Sequence, residues 1–91
     1  MNKFDPESIA NLLAVDEALA RHPKPSDGPP RRFPVWNKPL VKINDIYGEA
    51  HAYTRSYGLI GWKDNTGREH LEWFHADQIK RVERENWHGR P

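Results

Sequence analysis

With 91 residues and no cysteine, the chain is bounded to one small domain that has neither a disulfide framework nor a thiolate metal site to staple it. Its 14 Lys and Arg against 13 Asp and Glu leave a formal net charge of +1, which lacks the surplus that accompanies strong non-specific attraction to nucleic acid or anionic membrane. No apolar run approaches the roughly 20 residues of a membrane helix, and no basic stretch leads into an apolar one at the N-terminus, so the expectation is a cytoplasmic protein.

Residues 5–21, DPESIANLLAVDEALAR, predict an amphipathic helix. Asp5 suits the N-cap, Pro6 the first helical position and Glu7 the first turn, where the helix dipole favours negative charge. Ile9, Leu12, Leu13, Val15 and Leu19 form its apolar face, and His22-Pro23 ends it. A helix of this length is marginal alone in water, so that face packs on the following domain or on a second protein, a second copy included. Residues 23–34, PKPSDGPPRRFP, hold five prolines in twelve positions and read as a polyproline-like spacer.

The β region begins at residue 35. In VWNKPLVKINDI the alternation places Val41 and Ile43 on one face and Leu40, Lys42 and Asn44 on the other. Residues 45–51, DIYGEAH, read as an irregular excursion turning at Gly48, before the chain returns through Ala52, Tyr53 and Thr54. A strand over 55–63 carries Gly58 and Gly61, which permit a sharp bend or bulge. DNTG, at 64–67, is a tight-turn signal, and in the strand after it Leu71 and Trp73 alternate with His70 and Glu72. Leu71 and Trp73 are therefore expected inside, on a wall shared with Val41 and Ile43. Phe74-His75 breaks the alternation and ends the strand; one helical turn over 76–78 and a short strand over 79–82 follow. The domain reading is helix 1–22, spacer 23–34, β-barrel 35–83 and a charged tail 84–91, whose Trp87 is expected to cover the barrel.

This order of elements, carried by VKINDIYGEAH, GLIGWKDNTGREHLEW and ADQIKRV over residues 35–83, resembles the SH3-like small β-barrels, including SH3, Tudor and KOW-type domains. The stretch GWKDNTGREHLEWFHADQIKRV is also similar to short barrel-type reading frames of actinobacteria and their phages. The resemblance implies a mainly β fold, an SH3-like barrel of about five strands preceded by one N-terminal amphipathic helix. It also implies a general habit of binding rather than a particular ligand.

The residues that carry chemistry point the same way. His70 and His75, five apart, fall on opposite faces of a regular strand, as do Glu69 and Glu72, three apart. Ser8, Ser26 and Ser56 lack the prepared turn a nucleophile needs. The expectation is therefore no enzyme, no metal and no cofactor. Two binding readings remain. In the first, a protein partner is held by an aromatic loop edge and the helix, through Tyr47, Tyr53, Tyr57, Phe74, Leu12 and Leu19. In the second, nucleic acid is held by Arg31, Arg32, Lys38, Lys42, Lys80, Arg81 and Arg84 near the two ends of the barrel.

Overall fold

The computed structural model describes residues 6–89, with side chains from residue 13 onward. The fold is mainly β. One helix, α1 (Pro6–Ala20), precedes six strands: β1 (Arg31–Arg32), β2 (Leu40–Ile43), β3 (Ile46–Tyr53), β4 (Tyr57–Lys63), β5 (Glu69–His75) and β6 (Lys80–Arg81). They form one sheet in the order β5-β4-β3-β2-β6, with β1 beside β3, and each pairing is antiparallel. A one-turn 3-10 helix, Ala76–Gln78, lies between β5 and β6, as expected. Among the described residues no helix is long and apolar enough to cross a membrane.

The irregular excursion expected over residues 45–51 is instead a continuous strand. Ile43 pairs with Ile46, leaving Asn44 and Asp45 as a two-residue turn, and Asn44 adopts φ 53. Asn tolerates the left-handed region better than most residues, so the local turn chemistry of Asn44 decides the hairpin. Gly48 stays extended inside β3, opposite Val41.

The one irregularity in the long strands falls at His51. Ala50 pairs with Ile60 and Ala52 with Leu59, so His51 is the extra residue of a bulge in β3 rather than in the glycine-containing β4. In a regular strand Ala50 and Ala52 would share a face. The bulge sends them to opposite sides of the sheet.

Two cores result. Val41, Ile43, Ala50 and Ile60 are buried together, with Phe33, Trp62, Phe74 and Ile79 packed against them. Val15, Ala52 and Leu59 are buried on the other side, with Ala18, Leu19, Leu71 and Trp73 around them. Leu59 and Ile60, neighbours in β4 and both 0% exposed, serve one core each. Each such side chain contributes about 1.5–3 kcal/mol by leaving water. Leu71 and Trp73 therefore do not share a wall with Val41 and Ile43: they face α1, whereas Phe74 reaches the Val41 side. The alternation of β5 continues through Phe74 and His75 because the sheet carries a core on each face, so an apolar residue at either parity is partly buried.

The helix docks on its own sheet. Val15, Ala18 and Leu19, at helical spacing, make the contact, while Leu13 is 59% exposed and lies off the expected apolar face. The Trp73 indole donates to the Ala18 carbonyl at 2.8 Å, which also accepts from the Arg21 amide at 3.1 Å as the helix ends. The expected N-cap Asp5 lies outside the described residues.

The proline-rich stretch read as a spacer is also attached. It contains a 3-10 turn, Pro25–Asp27, and β1, whose Arg31 and Arg32 pair with Tyr53 and Ala52. Asp27 accepts from Thr54 Oγ1 at 2.9 Å, from the Ser56 amide at 2.9 Å and from Ser56 Oγ at 3.2 Å, so its carboxylate clasps the turn between β3 and β4. Burial raises its pKa, but these hydrogen bonds outweigh that and hold it below the ordinary carboxylate value. At the other terminus Trp87 folds back, its indole donating to the Gly48 carbonyl at 3.0 Å.

Candidate functional site

The loop between β1 and β2 is fastened at both ends. The Phe33 amide donates to the His51 carbonyl at 3.0 Å, and the Ala50 amide donates to the Pro39 carbonyl at 2.9 Å. Between these anchors the Asn37 amide closes a turn onto the Pro34 carbonyl at 3.0 Å, and Lys38 pairs with Glu49 at 3.2 Å. Phe33 is drawn into the Val41 core. At the tip, Val35 is 66% and Trp36 88% exposed. An indole held in water on a loop this well tied is the largest unused apolar side chain among the described residues. Sequence reading passed over it, although its signal was present as a Val-Trp pair between Pro34 and Pro39.

The aromatic residues expected to line one edge are divided. Tyr53, 40% exposed, packs on Phe33 with ring centroids 5.0 Å apart, and Tyr57 meets His75 at 5.2 Å near the same end of the sheet. Tyr47 lies six residues earlier along β3, about 20 Å away at the rise of a strand, against His88 at 5.3 Å. Phe74 is spent on Trp62 and the Val41 core, and Leu19 on the helix side. The Leu12 side chain lies outside those described.

The basic residues divide similarly. Arg31 and Arg32 flank the last residues of β3, and Arg32 Nη1 lies 3.3 Å from Asp16 Oδ1. Lys42 stands in register with Lys80 across β2 and β6, Arg81 is opposite Val41, and Arg84 opens the closing 3-10 turn Arg84–Asn86. These four, with Lys38 paired to Glu49, form the far edge of the sheet.

The remaining polar clusters hold the framework. Asp64 accepts from the Thr66 amide at 2.9 Å and the Arg68 amide at 3.0 Å, and it contacts His70 Nε2 at 2.9 Å. His70 and Thr66 above all hold its carboxyl well below the usual range, while His70 stacks on Trp62 at 4.9 Å. His51, at the bulge, borders a groove of about 510 Å³ with Val15, Glu49, Leu71 and Trp87. Burial, then Lys38 and Arg32, push its pKa down to about 4 against the opposing pull of Glu49, so its imidazole is neutral at pH 7. Among the described residues no group of three or more His, Cys, Asp or Glu is placed to hold a metal ion.

Compared with known proteins, the chain matches no family model, no curated protein and no solved structure.

Proposed function

We propose that the chain is a non-enzymatic, SH3-like interaction domain that grips a protein partner with the turn carrying Val35 and Trp36. The barrel reading is supported by the strand order β5-β4-β3-β2-β6 and by the single 3-10 turn before the strand that returns to β2. The observation that carries the function is Trp36, 88% exposed on a loop whose two ends are bonded to β3. Trp is enriched among the few residues that dominate binding energy, and a loop backbone already tied down loses little freedom when a partner closes over it. The helix face is committed in cis through Val15 and Leu19, which moves the partner surface from the helix to this turn. The non-enzymatic reading is supported by Asp27 and Asp64 clasping turns and by His70 lying between Asp64 and Trp62.

The test is affinity capture from the source organism with wild-type protein, Trp36→Ala and Trp73→Phe, followed by calorimetry with the recovered partner. The expected result is a partner held by wild type and Trp73→Phe and lost with Trp36→Ala. Equal capture by Trp36→Ala, or no partner at all, overturns the proposal.

A further inference from the structure

Lys80, Lys42 and Tyr47 form a row straight across three strands. Lys42 is in register with Lys80 on β6 and with Tyr47 on β3, so the three side chains leave one face of the sheet as immediate neighbours. Lys42 Nζ lies 5.3 Å from the centroid of the Tyr47 ring, against whose surroundings the tail places His88. Arg21, Lys24, Arg32, Lys38 and Lys63 each have a carboxylate within 4.0 Å. Lys42 and Lys80 have none among the described residues. Like charges directly opposite one another oppose strand pairing. Here they oppose it at the two-residue β2–β6 ladder, the shortest contact of the sheet's main path.

We infer that this row is a phosphate site for single-stranded nucleic acid. The two ammonium groups bracket one backbone phosphate, which relieves the repulsion that the free protein carries. Around the edge formed by β6, Arg81, which alternation turns to the opposite face from Lys80, and Arg84 border a groove of about 520 Å³ with Asn37, Lys38 and Glu83, and receive the phosphates that follow. The footprint is narrow, because Arg31 and Arg32 lie at the other end of β3 and Arg32 is engaged with Asp16. A few phosphates that turn around one sheet edge suit one flexible strand rather than the broad face of a duplex. The row uses none of the residues of the proposed protein anchor, so each reading stands or falls without the other.

The test is fluorescence anisotropy with a short labelled oligodeoxythymidylate at low and at physiological salt. It compares wild type, Lys42→Gln/Lys80→Gln and Trp36→Ala, with a duplex and a polyglutamate peptide as competitors. Binding by wild type at low salt, weakened about tenfold or more in the double variant and unchanged in Trp36→Ala, is expected. Loss of the one bracketed phosphate on a single strand lowers the slope of log K against log salt by about 0.7. Lys80→Gln alone should also melt at a higher temperature than wild type at low salt. No binding by wild type, undiminished binding by the double variant, or competition by duplex or polyglutamate as strong as that of unlabelled oligonucleotide overturns the inference.

Discussion

The indole N–H of Trp73 donates to the Ala18 carbonyl at 2.8 Å, so a residue in the middle of β5 caps the last turn of a helix 55 positions earlier. This bond and the packing of Val15 and Leu19 make the helix a layer of the domain rather than an appendage. Trp73→Phe keeps an aromatic ring but removes the indole donor, leaving the Ala18 carbonyl to the Arg21 amide alone, and opens a gap beside Leu59. A loss of about 1–3 kcal/mol is expected in urea denaturation.

Gly61 is required by His51. A Cβ built at Gly61 would stand 2.6 Å from His51 Nε2. Gly61→Ala is expected to cost about 1–3 kcal/mol by overpacking. Adding His51→Ala removes the obstructing ring, so the double variant should lose less than the sum of the two single ones, measurable as a coupling in a double-mutant cycle.

Stability should depend on pH through the same imidazole. His51 is held at about 4 in the folded chain against an ordinary 6.5, so as pH falls below 6.5 the unfolded chain takes up a proton that the folded chain refuses. Folding free energy therefore drops through that window and levels off below about 4. The slope is at most about 1.4 kcal/mol per pH unit, reduced by the part of the ring that water reaches. In His51→Gln the curve of Tm against pH should be flatter between these limits.

Asp27 acts at the acid limb. Because its folded pKa lies below the ordinary carboxylate value, its contribution is complete above that value and disappears as pH falls through the lowered one. Asp27→Asn is expected to free the proline-rich stretch at neutral pH. Limited proteolysis should then cut within residues 23–34 faster than in wild type, which should show the same sensitivity only in acid.

Trp36 contributes little to the fold. At 88% exposure it makes few contacts to lose, so Trp36→Ala should stay within about 0.5 kcal/mol of wild type in thermal and urea unfolding. Unchanged stability combined with lost partner binding would separate an interaction residue from a packing one.

Much of this architecture can be read from the residues. The alternation of Val41 and Ile43, the turn at DNTG with Gly67 at φ 86, the single helical turn after β5 and the return of Trp87 all rest on local pattern and appear where that pattern puts them. What local pattern misses is what depends on the far side of the sheet. Leu71 and Trp73 look inward by alternation, yet which inside they face is decided by a helix 50 residues away and by a bulge at His51 that no residue type announces. Sequence alone groups the tyrosines by proximity to an expected loop and the arginines by proximity to the two ends of the barrel. Once residues 45–51 are a strand, Tyr47 and Tyr53 stand at opposite ends of it. Trp36 was legible as a residue, but its exposure was not, because a Trp in a small domain is ordinarily needed inside.

Ordinary alternation leaves β4 working as a partition wall, and the bulge at His51 lets Ala50 and Ala52 serve one side each. Position 59 and position 60 share a peptide bond and yet belong to compartments that do not touch through side chains. A substitution in the helix layer is felt first at Leu59, and one among Val41, Ile43 and Phe74 first at Ile60. A chain this short thereby holds two separate apolar compartments, divided by the thickness of a single strand.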